Sequence, residues 1–349
     1  MRTGKVPENV LKRSVLRQLK TERKEILNGA GIGKDCAVFS FSDRNVISCM
    51  QEASVAVKSS AGCRQPEFTV KYNMAQLIQK CANNLAASGA EPVAAMVTLL
   101  LPETTEESEL KALMSEAEEK CQELSMDIAG GQTRVTADVS SPIAVVTGFG
   151  VGSEDAGDIG HMIRKAAPGQ DVVISKWIGL EGTAFLAERC SEMLRPRFPA
   201  YLVEEAAGFH RYLSILPEAA AAVESGVCAM HDASEGGIFG ALWELAERAG
   251  VGLTIDLKKL PLRQETVEVC ECCNVNPYQL LSGGCLVMTA EDGSVLVDNL
   301  TARQIPAVIV GKVTDRNDRI LLNGEEVRYM DRPAIDELYR FFSESSIQS

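Results

Sequence analysis

A chain of 349 residues, 46% of them hydrophobic, is long enough to bury the cores of two ordinary domains. Lys and Arg total 35 against 48 Asp and Glu, and the resulting net charge of −13 repels phosphodiester backbones and anionic membrane surfaces, which excludes nucleic acid and acidic lipid as main partners. No apolar run approaches the ~20 residues of a membrane span and the basic N-terminus lacks a signal-peptide core; eleven cysteines, an odd number in a chain large enough not to need staples, point to reduced thiols in the cytoplasm.

Residues 1–30 are polar and basic, with Gly4, Pro7 and a weakly helical stretch from Val10 to Leu19, and read as a mobile N-terminal arm. Short β-rich runs, Ala37 to Phe41 and Asn45 to Met50, flank Ser42-Asp43 as in a hairpin. A helix is expected from about Pro66 to Ser88, ended by Gly89 and Pro92. The nearly continuous apolar run Val93 to Leu101 then predicts a strand buried on both faces. Thr104 or Thr105 is the expected cap of the next helix, with Glu106 and Glu107 at its positive end. Its buried stripe is Leu110, Leu113, Met114, Ala117, Cys121 and Leu124, and a strand from Ile143 to Gly150 closes the first unit.

Residues 151–167, rich in Gly, Asp and Ser, carry no sustained apolar period and mark the domain boundary. Pro168 to Asp171 form a turn into a strand at Val172 to Ser175. A helix near Gly182 to Arg189, a strand near Val227 to Met230 and a helix from Ser234 to Ala249 capped by Gly250 follow. Strands near 252–256, 285–290 and 305–313 come next. Strands alternating with helices in both halves predict an α/β (α+β) chain.

Five segments, in order, resemble the aminoimidazole-ribonucleotide (AIR) synthase superfamily. Gly4-Lys5-Val6-Pro7 with Val10-Leu11 is similar to the start of its HypE-like, hydrogenase-maturation branch, and Gly31-Ile32-Gly33-Lys34-Asp35-Cys36-Ala37-Val38 to its G-x-G-[DE]-D-A-A-V segment. Ala82-Asn83-Asn84-Leu85-Ala86-Ala87-Ser88-Gly89-Ala90-Glu91-Pro92 is similar to V-N-D-I-A-A-x-G-A-E-P. His231-Asp232-Ala233-Ser234-Glu235-Gly236-Gly237 is similar to H-D-x-T-[DE]-G-G, and Leu281-Ser282-Gly283-Gly284 to a later S-G-G turn. An ordered set of this kind is far more specific than one glycine motif. The resemblance implies a two-domain fold: a β-rich ATP-binding and dimerisation domain over 31–155, an α/β domain over 165–330, and a C-terminal helix or tail over 331–349. It also implies a homodimer, ATP with Mg2+, and phosphorylation of a substrate oxygen that then leaves in a dehydration or ring closure.

Carried onto this chain, the family's nucleotide contacts fall on Lys5, Gly31, Gly33, Lys34, Asp35, Asn83, Gly130, Gly131, Gln132, Thr133, Arg134, Ser234, Glu235, Gly236 and Gly237. The metal ligands fall on Asp35, Glu52 and Asn84, and the catalytic positions on His231 and Asp232. Phosphoryl transfer is mostly positioning and charge neutralisation, which explains the need for carboxylates and phosphate-facing donors. The pattern is altered at four positions. Lys34 and Arg134 stand where acids are usual, Glu52 replaces an Asp, and Asn84 replaces the Asp of the N-D pair.

Lys34 and Arg134 either meet phosphates directly, partly in place of metal, or are solvated surface charges. Gly130-Gly131 either lets backbone approach a ligand or forms an ordinary tight turn. The helix start at Ser234 to Gly237 offers N–H groups to an anion, or merely a cap. His231 is a general base, a phosphate contact or a structural residue. Cys270, Cys272 and Cys273 lack a matching ligand pair and read as structural thiols. Members of the HypE branch end in a substrate-carrying Cys, whereas this chain has none after Cys285. The expected activity is therefore an ATP-dependent reaction on an unidentified small substrate; the alternative is a non-catalytic nucleotide or anion sensor, or a scaffold, with a degenerate metal site.

Overall fold

The computed structural model describes residues 7–19, 24–41, 44–56, 70–152 and 165–348. The expected Ser42-Asp43 turn, the first residues of the 66–88 helix, most of the 151–167 boundary and Lys5 lie outside them.

The first unit comprises α1 (Glu8–Ser14), β1 (Ile26–Asn28), β2 (Cys36–Phe41), β3 (Arg44–Ser54), α2 (Met74–Ala87), β4 (Glu91–Leu101), α3 (Glu107–Glu123), β5 (Asp127–Val135) and β6 (Ile143–Val151). Its six strands form one sheet in the order β1-β2-β3-β6-β4-β5. Only β4 and β5 run parallel, joined by the crossover helix α3. α2 starts at Asn73, whose side chain accepts from Gln76 N–H while Gln76 accepts from Asn73 N–H, a complete capping box. Its apolar stripe, Met74, Leu77, Ile78, Cys81 and Leu85, packs with α3 on Ile47, Leu99 and Val146 of the sheet. Each such large side chain, fully buried, contributes about 1.5–3 kcal/mol.

The second unit comprises β7 (Asp171–Ser175), α4 (Leu180–Arg189), α5 (Ser191–Leu194), α6 (Ala200–Ala207), α7 (Leu216–Glu224), β8 (Ala229–Ala233), α8 (Gly237–Ala249), β9 (Gly252–Asp256), α9 (Gln264–Cys273), β10 (Cys285–Ala290), α10 (Gly293–Ala302), β11 (Ala307–Thr314), β12 (Arg319–Asn323), β13 (Glu326–Tyr329) and α11 (Glu337–Gln348). The strands form a sheet in the order β13-β12-β9-β11-β7-β10-β8, antiparallel except where β12 meets β9. α8 lays Ile238, Leu242, Leu245 and Ala246 on this sheet.

Several expectations are corrected. The described residues of the N-terminal arm, 7–19 and 24–30, are docked: Glu8 accepts from Trp243 Nε1 (3.0 Å), Lys12 pairs with Glu247 (2.6 Å), and β1 is the edge of the first sheet. β4 is buried on one face only, because β-strand side chains alternate and Met96 points outward at 43% exposure. α3 is capped by Glu106 in a capping box with Glu109, not by Thr104 or Thr105. Gly130 to Arg134 form not a loop but the middle of the exposed edge strand β5. A register shift opposite Met96 is absorbed there, and a Cβ at Gly131 would fall 1.8 Å from the Val97 carbonyl oxygen. Backbone crowding against β4 therefore accounts for that glycine.

The two units are joined through buried polar contacts as well as apolar ones. Asn83 on α2 donates to the Leu213 carbonyl (2.7 Å) and accepts from Ile215 N–H (3.2 Å) in the second unit. Ala86 and Ala87 pack beside Ile215 and Ala219. Tyr72 of the first unit lies in one cluster with Phe185, Leu338 and Phe342 of the second, its ring edge-on to Phe185.

Candidate functional site

Asp35 is the last residue before β2, and its position depends on Gly33. That glycine has φ +66°, and a Cβ there would sit 2.4 Å from the Glu244 carbonyl oxygen on α8. Glycine thus lets the loop cross the helix of the other unit in contact. Asp35 Oδ2 then lies 3.2 Å from His231 Nδ1, and Glu244 Oε2 lies 3.1 Å from His231 Nε2.

His231 stands on β8, buried between those carboxylates. Burial alone would lower its pKa, but Asp35, Glu244 and Asp232 outweigh that and raise it to about 9. With its pKa raised to about 9 the ring is protonated at neutral pH; Nε2 donates to Glu244, while Nδ1 and Asp35 form an ion pair. The two carboxylates face different ring nitrogens, so Asp35, His231 and Glu244 form an ionic relay between the units, and one ligand atom from each lies within 4.8 Å of the others, close enough to hold a metal ion. A protonated imidazolium has no free lone pair to accept a proton.

Asp232, also buried, is raised to about 6 by burial and then by Asp35. With its amide oriented to satisfy both ends, Asn84 donates to Asp232 Oδ2 (2.9 Å) and Oδ1 (3.1 Å) and accepts from Gln51 Nε2 (2.6 Å). The Asn84 oxygen therefore accepts from Gln51 in this arrangement. Asn83, one residue before, faces the other unit and fixes the 213–215 segment. Lys34 lies in a narrow pocket with Asp35, His231 and Arg248; burial and Arg248 lower its pKa.

The turn Ser234 to Gly237 differs from the expected anion cradle. Gly236 caps α8 at φ +86°, but its N–H donates to Asp336 Oδ2 (2.7 Å). Gly237 N–H donates to the Ser234 carbonyl and Phe239 N–H to the Tyr278 carbonyl. The first-turn donors are largely used within the chain, and Asp336, which also accepts from Leu281 and Leu338 N–H, supplies the negative charge that the helix start favours. Burial pushes the Asp336 carboxyl up to about 7 against those donors.

Asp35, Asn84 and Ser234 also line a cleft of about 540 Å³ between the units, whereas Lys34, His231 and Asp232 line the narrow pocket beside it. Asp35, Gln51, Glu52, Lys80 and Asn84 face the cleft from the first unit, Ser234, Glu235 and Tyr339 from the second. The Glu52 carboxyl is raised by burial and then by Glu235, so two acids approach each other across the cleft. Hollows of about 690 Å³ beside His210 and 820 Å³ beside Tyr278 gather none of the motif residues. Gly130 to Arg134 do not line the cleft. Sequence reading missed Lys80, Gln51, Glu244 and Asp336. Lys80 alone had a local signal, since it lies four residues before Asn84 on the same helical face.

Fold and site together define a two-unit α/β protein with an acidic cleft between a β-rich first unit and a mixed second one. The chain belongs to the AIR synthase related family: the model of its N-terminal domain matches residues 33–152 and that of its C-terminal domain residues 167–322. A protein of Methanocaldococcus jannaschii named for hydrogenase expression/formation is 25% identical over 349 residues, covering 97% of this chain and 96% of that one. Carbamoyl dehydratase HypE of Rhodobacter capsulatus is 28% identical over 234 residues, 66% of each chain. Among solved structures, hydrogenase maturation protein HypE in complex with ATP shares the fold, with a TM-score of 0.67 at 17% identity, covering 95% of this chain and 96% of that one.

Proposed function

We propose that this chain binds ATP in the interdomain cleft and transfers the γ-phosphoryl group to an oxygen of a small substrate. ADP leaves as the new P–O bond forms, and the substrate oxygen later departs within inorganic phosphate, which amounts to a dehydration. The observation that carries this reading is the cleft itself: Asp35, Glu52, Lys80 and Asn84 of one unit converge with Ser234 and Glu235 of the other in a volume suited to a nucleotide. The ATP-bound relative and the carbamoyl dehydratases of the same family support it, and they make a carbamoyl or carboxamide oxygen the first substrate class to try. Fold alone does not fix chemistry, so the site has to carry the argument.

Magnesium suits the hard oxygen donors at the cleft, where the raised Glu52 carboxyl beside Glu235 marks negative charge that a dication would neutralise. Asp35 and Glu52, joined by Glu235, would hold it, and it would supply charge neutralisation to the phosphates. His231 and Glu244 keep Asp35 oriented. The surviving carboxylates favour catalysis over a scaffold role.

The homodimer forms, in this reading, through the outer face of the first sheet, which exposes Met50 and Met96 on either side of Thr147. The cysteine usage supports a cytoplasmic setting. Isothermal titration with ATP and Mg2+, followed by phosphate release with carboxamide substrates, tests the function. Saturable ATP binding with substrate-stimulated phosphate release is expected, and no ATP binding with or without Mg2+ would sink the reading.

A further inference from the structure

We infer that Lys80 is the fixed cation that meets the terminal phosphates of the bound nucleotide, and that Glu181 is its positioning residue; this rests on the nucleotide reading above. Among the described residues lining the cleft, Lys80 is the one Lys or Arg, against Asp35, Glu52 and Glu235. A triphosphate entering among three carboxylates requires positive charge beyond what a dication shared with those carboxylates provides.

The lysine is held firmly. Its Nζ lies 3.1 Å from Glu181 Oε2 and 3.3 Å from Oε1, and 5.2 Å from the centre of the Tyr72 ring, with the side chain 16% exposed. An ammonium has three donors, so a carboxylate with two oxygens leaves one for a ligand. Glu181 is fully buried in the first turn of α4, where the helix dipole favours its charge. The S-G-G turn packs on it so closely that a Cβ at Gly283 would lie 2.2 Å from Oε2. That glycine of the turn, otherwise without a role in the cleft, is explained by this contact.

A buried ion pair is a poor stabiliser compared with apolar residues of the same volume, so stability alone is a weak reason to bury this carboxylate. Fixing one ammonium at a cleft is a better one, and protein kinases use the same device, a Glu-held Lys on the nucleotide phosphates. The pair also spans the two units, since Lys80 is on α2 and Glu181 on α4. The ammonium is therefore in place only when the units are docked.

Lys80→Met alone would strand Glu181 in the interior, so the informative variant is Lys80→Met/Glu181→Gln, which removes both charges. Its fold is checked by calorimetric melting without ligand, alongside Lys80→Arg. Titrations use ATP, ADP and adenosine with Mg2+. The inference expects the double variant to lose about tenfold or more in ATP affinity while its adenosine affinity stays at the wild-type value. Lys80→Arg is expected to remain within about threefold for ATP. A folded double variant that binds ATP as tightly as wild type overturns the role of Lys80 and leaves the nucleotide reading standing. Equal losses for ATP and adenosine also overturn it, by showing a general change of the cleft. A wild type that binds no ATP overturns both.

Discussion

His231 illustrates how single residues at this site are set by partners far away in sequence. Its imidazolium is favoured in the folded chain because Asp35 and Glu244 face its two nitrogens. A folded pKa of about 9 against 6.5 unfolded means the pairing stabilises fully below pH 6.5 and is lost as pH rises through 9. The difference corresponds to on the order of 3 kcal/mol for this buried group. Asp232, raised to about 6, has largely finished titrating before that window and contributes little to it. Urea unfolding at pH 6.5, 8 and 9.5, in EDTA and without nucleotide, should show wild type losing stability across the series, whereas His231→Gln should show a much flatter profile. Parallel profiles would contradict the relay. The H-D segment was legible as a site from sequence, but its chemistry was not, because Glu244 lies thirteen residues on and Asp35 nearly two hundred back.

At the scale of elements, helix and strand types followed from periodicity, whereas ends and caps followed from tertiary partners. α2 and α3 are amphipathic and readable. The start of α8 was placed at Ser234 because Ser before a helix usually caps it, yet β8 continues to Ala233 and Gly236 caps with help from Asp336. Nothing local announces a carboxylate a hundred residues downstream. β5 escaped notice because a glycine pair reads as a turn until the crowding of Gly131 against Val97 is seen. Asp336 accepts from Gly236, Leu281 and Leu338 N–H, tying α8, the S-G-G segment and α11 to one side chain. Asp336→Ala leaves those donors without an acceptor and should cost about 2–4 kcal/mol, with Asp336→Asn, which keeps one oxygen, losing about half as much. Calorimetric melting measures both, and an Asp336→Ala protein as stable as wild type would show that water or backbone takes over.

For the whole molecule, pairing of a second copy on the outer face of the first sheet would link assembly to the cleft. Met50 and Glu52 are two residues apart on β3 and therefore project to the same side, where both line the cleft and Met50 also belongs to the expected dimer contact. Met50, Thr147 and Met96 form a row across β3, β6 and β4, and exposed methionines in such a row are an unusual use of surface for a chain of net charge −13. If this face pairs with a second copy, Met96→Glu puts a carboxylate into an apolar contact at a cost of about 3 kcal/mol, over a hundredfold in the dimer dissociation constant. Sedimentation at micromolar concentration should then show wild type as a dimer and Met96→Glu as a monomer with unchanged melting of its core. Met96 itself does not line the cleft, so a parallel loss of ATP affinity in the monomer would mean that the nucleotide site is completed across the interface, through the neighbourhood of Met50 and Glu52. Retained affinity would separate assembly from binding, and a monomeric wild type would remove the pairing of this face altogether.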